Sequence, residues 1–328
     1  MNLILQGHDY RYAAEQMLLT LFPEERPEYP ACPLPPGADA AVLSLEEAEG
    51  TLRARAALRR RGADYVGRDE APAPSGADPL ARDRVCQRIL KLAFYRAGVA
   101  ALGKEPPWGA LTGVRPVKIP TRAVERGASW EEAERELREV YRVSPGRAAL
   151  AMDCARASLA ARRSLKCDEV SLYIGIPFCP TRCAYCSFVS ADVGRTLKLL
   201  SPFLEVLLQE VDAAAAALKE AGFFVRTVYV GGGTPTTLSA GQLDALLGRV
   251  EARFDLSRCT EFTVEAGRPD TITAEKLAAL RRHGVERVSV NPQTMQDAVL
   301  TPMGRAHTSA DILRAFESVR AAGFPCVN

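Results

Sequence analysis

The chain has 328 residues, about twice the usual domain of about 150 residues, so two units are expected rather than one. Hydrophobic residues at 47% and charged residues at 25% are those of a folded globular protein, which excludes collagen-like, low-complexity and intrinsically disordered classes. Lys and Arg number 42 against 40 Asp and Glu, a formal net charge of +2, so no strong field draws the chain to nucleic acid or to an anionic membrane.

In chain order, Leu3 to Leu5 reads as a short strand and Tyr10 to Phe22 as a helix, with Ala13, Ala14, Met17, Leu18 and Leu21 at helical spacing and Pro23 closing it. The apolar run before His8 and Asp9 is too short for a signal-peptide core, and no window of about 18 residues is free of charge. A cytoplasmic protein with no membrane partner is expected. The proline-dense PEERPEYPACPLPPGAD reads as a linker. Leu52, Ala54, Ala56 and Leu58 then alternate with Arg53, Arg55 and Arg59, a period of two that predicts an arginine-faced strand, with a helix as the rival reading. After APAPSGADP, helices are predicted over 81–102, Trp130–Val140 and Arg147–Arg163, so residues 1–165 form a mixed, mostly helical N-terminal region.

From residue 166 the rhythm changes. VSLYIGIP precedes a helix over 196–221, VRTVYVGGG a helix over 240–253, TEFTVEA a helix over 274–283, and VERVSVN helical pieces up to 322. Apolar strands alternating with amphipathic helices predict βα units on a parallel sheet, either open or curled into a barrel. The terminal PCVN reads as a fifth strand just beginning, which leads to the expectation that residues 166–328 are the C-terminally truncated piece of a longer domain.

Chemistry concentrates in IPFCPTRCAYCSF, where Cys179, Cys183 and Cys186 follow a strand with Cys-x3-Cys-x2-Cys spacing. Three soft thiolates on one short loop suit zinc or an iron–sulfur centre. A closed zinc site needs a fourth ligand, and none stands near in sequence: Cys167 lies twelve residues upstream and the next histidine is His283. Three ligands on a four-iron cluster leave one iron open, the arrangement for binding and cleaving a small molecule. The Gly231-Gly232-Gly233-Thr234-Pro235-Thr236 turn stands at the end of the next strand, where glycines permit close approach to a ligand; it lacks the Gly-Lys-Ser/Thr of a phosphate loop. Glu265, Asn291 and Gln293 stand at later strand ends, with Arg305 beyond the next helix, all on one predicted rim.

On YIGIPFCPTRCAYCSF, GGGTPTTL, TVEAGRPDTIT, VSVNPQTMQDAVL and GRAHT, in that order, the chain resembles the radical S-adenosylmethionine superfamily, and within it the oxygen-independent coproporphyrinogen III oxidase group. WGALTGVRPVKI at 108–119 is similar to its HemZ-type branch. The resemblance implies an α/β fold: a partial (β/α) TIM-like barrel preceded by a smaller α+β, mostly helical region. It also implies a 4Fe-4S cluster on Cys179, Cys183 and Cys186, a first S-adenosylmethionine at Tyr173, Gly232 and Glu265, and a second at Tyr185, Gly233, Thr234, Gln293 and Arg305. No residue is singled out as catalytic. A further aspartate of the family falls past Asn328.

The implied reaction is the oxidative decarboxylation of two propionates of coproporphyrinogen III to vinyl groups, giving protoporphyrinogen IX in haem biosynthesis. It needs a one-electron donor such as a flavodoxin or ferredoxin. Arg115, Arg182 and Arg305 are candidates, by charge, for holding the tetracarboxylate. The best-characterised branch carries a further cysteine where this chain has Phe188, and haem-chaperone members share the phenylalanine. A haem-binding chaperone on the same scaffold is therefore the alternative, and a radical enzyme acting on tRNA a third.

The remaining features have plainer readings. His307 is expected at a cap or on the surface, and His283 closes a helix where a cation suits the dipole. Cys32, Cys86, Cys154, Cys167, Cys259 and Cys326 are expected as unpaired thiols, and the arginines at 53–61 as a solvated face.

Overall fold

A computed structural model describes residues 1–30, 34–74, 79–113 and 115–328. The chain divides into two units, Met1–Ser164 and Leu165–Asn328, and each encloses apolar cores of its own.

In the first unit, β1 (Asn2–Gln6) runs parallel to β2 (Ala40–Ala48), with α1 (Arg11–Leu21) between them in sequence. β3 (Thr51–Arg60) and β4 (Ala63–Pro72) follow antiparallel, giving the spatial order β1-β2-β3-β4. Leu52, Ala54, Ala56 and Leu58 are buried while Arg53, Arg55 and Arg59 face solvent, so the alternation was that of a strand and the helical rival falls. Its two hairpin turns are built alike: Glu49 and Gly50 take φ of 51° and 72°, and Arg61 and Gly62 take 51° and 80°, as two-residue turns between twisted strands require. These turns make 40–48 and 63–72 strands, although their sequences carry no clean alternation.

α2 (Pro79–Leu102) packs on β4 so closely that a side chain on Gly67 would stand 2.0 Å from the Ala93 carbonyl oxygen. α3 (Lys118–Glu125), α4 (Trp130–Arg135) with its π-helical continuation Glu136–Val140, and α5 (Pro145–Arg163) gather around Leu137, Ala148 and Met152. Cys32 and residues 75–78 of the second proline stretch lie outside the described residues, as does Val114.

The second unit is a run of βα units. β5 (Glu169–Ile176) leads to the short pair β6 (Phe178–Cys179) and β7 (Ala191–Asp192), then α6 (Val193–Thr196) and α7 (Leu200–Ala221). The helix expected over 196–221 is thus interrupted by one tight turn at Leu197–Leu199, and Gly222 ends it in the left-handed region at φ 72°. β8 (Phe224–Gly232), α8 (Ala240–Arg253), β9 (Glu261–Glu265), α9 (Ala274–Arg282), β10 (Arg287–Ser289), α10 (Asp297–Leu300), α11 (Ser309–Ala321) and β11 (Cys326–Val327) complete it.

The five long-range strands are all parallel and stand in sequence order, β5-β8-β9-β10-β11. An open doubly wound sheet reverses its order part-way; a sequential order is that of a barrel wall. Ile174, Ile176, Val228, Val230, Phe262, Val264 and Val288 point to one face and bury against Leu204, Leu207, Leu246, Leu247 and Leu280 of the helices. The opposite face is polar, with Thr227 donating to Ser171 at 2.9 Å and Ser289 to Asn328 at 2.9 Å.

Candidate functional site

Parallel strands put every strand C-terminus on one rim, and of the polar residues expected there Glu265 and Arg305 are held by contacts with other site residues. β5 and β8 pair Tyr173 with Tyr229, and β8 and β9 pair Tyr229 with Thr263, which brings Glu265 one step beyond. The two tyrosine rings stack at 5.9 Å and 12°. Tyr229 donates its hydroxyl to Glu265 Oε1 at 2.5 Å. Burial and the Glu265 carboxylate together push both phenols upward, so both stay protonated donors at neutral pH. Gly175 and Gly231 leave the space above these rings open: a side chain on Gly231 would stand 2.8 Å from the Tyr229 ring and 3.3 Å from the Tyr173 hydroxyl.

The glycine turn serves the cysteine loop. Gly232, at φ 110°, lies against β5, where a side chain would meet the Ile176 nitrogen at 2.8 Å. The Gly233 amide donates to Ile176 O and that of Thr234 to Phe178 O, both at 2.8 Å. A side chain on Gly233 would stand 3.0 Å from Cys179 Sγ, and the buried Thr234 hydroxyl donates to that sulfur at 3.4 Å.

Cys183 is reached from another direction. Arg268, only 2% exposed, directs Nη1 at Cys183 Sγ, 3.7 Å away, and Nη2 at Thr181 Oγ1, 3.0 Å away, while its Nε faces Asp270 at 3.3 Å. The loop is also tied to residues 303–304: Ala184 N donates to Met303 O at 3.0 Å, and Thr181 Oγ1 to Gly304 O at 2.8 Å. Arg305 is buried, donating to Gly267 O at 3.0 Å and to the Tyr185 hydroxyl at 3.3 Å.

Among the described residues no group of three His, Cys, Asp or Glu side chains stands together as a cage for a single metal ion, whereas the expectation for Cys179, Cys183 and Cys186 is a four-iron cluster. The donor set still fits an iron–sulfur cluster. The three thiols are free, partly exposed and carried on one loop, and each of the first two has a hydrogen-bond donor set on its sulfur. Cys86, Cys154, Cys167, Cys259 and Cys326 are free as expected.

Of the other candidates, Gln293 and Asn291 are exposed, and Gln293 holds φ at 62°. Arg182 is exposed and shares with Arg305 the lining of a groove of about 710 Å³ beside Asp192 and Thr301, whereas Arg115 belongs to the other unit. His307 is corrected. It is 5% exposed, with both ring nitrogens unpartnered and Nδ1 3.7 Å from Asp270; burial and the Arg305 charge depress its basicity. It was expected at a cap or on the surface; it stands just before the Thr308 cap of α11, but its ring is buried beside Asp270 and near the Arg305 and Arg268 charges.

Residues 173–328 match the Radical SAM superfamily. Those residues are thus a Radical SAM domain, which implies a 4Fe-4S cluster and S-adenosylmethionine. The chain is 39% identical over 232 residues to the oxygen-independent coproporphyrinogen-III oxidase-like protein HemZ of Bacillus subtilis, across 70% of the chain and 46% of that relative. It is 37% identical over 155 residues to the heme chaperone HemW of B. subtilis, across 47% of the chain and 40% of the relative. The solved coproporphyrinogen III oxidase HemN of Escherichia coli aligns with 28% identity and a TM-score of 0.45 over 53% of this chain and 39% of that one. The chain thus spans under half the length of these proteins. Among the described residues no helix is long and apolar enough to cross a membrane.

Two residues in contact with the predicted site residues, Arg268 on Cys183 and Tyr229 on Glu265, were not singled out from the sequence. Arg268 is one arginine among many in a polar loop, with nothing local to mark its burial. Tyr229 did leave a signal: Tyr-Ile-Gly at 173–175 and Tyr-Val-Gly at 229–231 stand at the ends of neighbouring strands and pair in register.

Proposed function

We propose that this protein catalyses the oxygen-independent oxidative decarboxylation of coproporphyrinogen III to protoporphyrinogen IX in the cytoplasm, fed by a one-electron carrier of the flavodoxin or ferredoxin class. The observation that carries this reading is length of similarity: the match to the oxidase-like HemZ runs over 232 residues and so extends beyond the C-terminal unit, whereas the match to HemW runs over 155.

Cys179, Cys183 and Cys186 are the residues to hold the cluster. When bound, cluster and S-adenosylmethionine supply one-electron chemistry able to remove a hydrogen atom from an unactivated carbon. Tyr173, Gly232 and Glu265 suit the first S-adenosylmethionine: Glu265 offers a carboxylate to its cationic and hydroxyl groups, Tyr173 a ring face half open to solvent, and Gly232 a backbone with no side chain in the way. Tyr185, Gly233, Thr234, Gln293 and Arg305 are proposed around a second molecule, with Arg305 orienting the Tyr185 hydroxyl and Thr234 and Gly233 backing Cys179. Arg182, exposed on the groove beside the cysteine loop, is the cation proposed to pair with a substrate propionate, its lining of that groove supporting the reading.

The similarity to HemW supports a second reading, stoichiometric haem binding without turnover. The deciding experiment reconstitutes the full-length protein anaerobically with iron and sulfide, reduces it, and supplies S-adenosylmethionine with coproporphyrinogen III under mass-spectrometric detection. Two carbon dioxide molecules lost per porphyrinogen, abolished in Cys183→Ser together with the brown chromophore, is the expected result. Tight haem binding with no decarboxylated product would replace the oxidase by the chaperone.

A further inference from the structure

We propose that Arg268 sets the reduction potential of the cluster from outside its ligand set, by holding a permanent positive charge and an N–H donor on the sulfur of Cys183. The inference rests on the reading that Cys183 is a cluster ligand.

Arg268 heads the large side chains that are fully buried in this protein. A guanidinium keeps its charge at any physiological pH, and burying one is unfavourable unless anions and acceptors meet it. The partners provided are few: the Asp270 carboxylate at 3.3 Å, the Thr181 hydroxyl at 3.0 Å, the Thr181 carbonyl at 3.5 Å, and Cys183 Sγ at 3.7 Å. Asp270 is itself shared, since His307 stands 3.7 Å from the same oxygen. One partly exposed carboxylate therefore faces the buried Arg268, whose Nη1 is directed at Cys183 Sγ.

The balancing negative charge is that of thiolates. Three cysteine thiolates with a reduced cluster carry more negative charge than with an oxidised one, so a fixed cation in contact with a ligand sulfur favours the reduced form and raises the potential. The geometry is directional as well. Nη1 reaches the sulfur while Nη2 and Nε are held by Thr181 and Asp270, so the fork cannot swing away without losing both. Thr181 passes the restraint on by donating to Gly304 O, which fixes the loop segment just before Cys183. Arg268 is thus a positioning residue that acts through a ligand.

The test compares the full-length protein with Arg268→Gln and Arg268→Lys after anaerobic loading with iron and sulfide. Iron per chain and circular dichroism report assembly, and a dithionite titration followed by electron paramagnetic resonance of the reduced cluster gives the midpoint. Arg268→Gln is expected to load the same iron and to shift its midpoint negative by about tenfold in the reduced-to-oxidised ratio, about 59 mV for one electron. Arg268→Lys, keeping the charge but not the fork, is expected to shift the same way by less. If Arg268→Gln does not fold, Arg268→Lys decides alone. Equal midpoints would overturn the proposal, as would loss of iron from both variants with the fold intact, which would make Arg268 a builder of the loop. Failure of the unaltered protein to take up iron would remove the cluster reading itself, a result separate from equal midpoints.

Discussion

Tyr229 shows how much one hydroxyl decides at this rim. It spans from β8 to Glu265, 36 residues on, at 2.5 Å, and its ring supports Tyr173 by stacking. Removing the hydroxyl keeps the stack and frees the carboxylate, so Tyr229→Phe separates the two roles. A hydrogen bond to a charged group contributes about 1.5 kcal/mol at the low end, so S-adenosylmethionine affinity should fall about tenfold in calorimetric titration, with iron content unchanged. An unchanged affinity would remove Tyr229 from the site. At this scale the sequence spoke unevenly. The cysteines announce themselves because thiol chemistry and spacing suffice, and the Gly233–Cys179 contact follows from adjacent strand ends. Arg268 and His307 do not, since burial of a polar side chain is decided by distant segments that close over it.

Elements were more legible, because caps and periodicity act within a few residues. Ser239 with Gln242 opens α8, Ser129 with Glu132 opens α4, and Thr308 with Asp311 opens α11, each a reciprocal capping box. The last has a pH consequence. The Thr308 amide and hydroxyl, with Arg314 beside them, hold the Asp311 carboxyl down to about 2 from its ordinary 3.8. A carboxylate with a lowered folded-state value stabilises fully above its unfolded value and loses that contribution as pH falls towards the folded one. The start of α11 should therefore weaken between about pH 4 and pH 2, and Asp311→Asn should flatten that part of the stability profile measured by urea unfolding; an identical acid limb would refute the assignment. Where the element reading failed, as at 40–48 and 63–72, a strand is made by its partners. Neither stretch alternates cleanly in sequence, and each is a strand because it pairs along its length with β3.

The whole molecule is two units with separate cores, and the radical SAM match occupies residues 173–328 of the second. Cluster chemistry should track that unit. Leu165–Asn328 produced alone is expected to take up iron and sulfide and turn brown, and Met1–Ser164 to take up none; an iron-free second unit in the presence of a folded circular dichroism spectrum would show that the loop needs more than its own unit. The sequential strand order carries the expected barrel wall further than periodicity alone, which left open and closed sheets equally allowed.

What the sequence determined by itself was everything set by near neighbours along the chain: three thiols on one loop after a strand, glycines where a backbone must come close, alternation in β3, and the boxes that start helices. Tertiary structure alone decided which residues meet across distance. Arg268 finds Cys183 over 85 positions and Arg305 finds Tyr185 over 120, because strand register and loop closure bring those ends of the βα units to one rim. Register depends on the packing of whole strands against helices, so the contacts between distant rim residues appear only once the sheet is assembled.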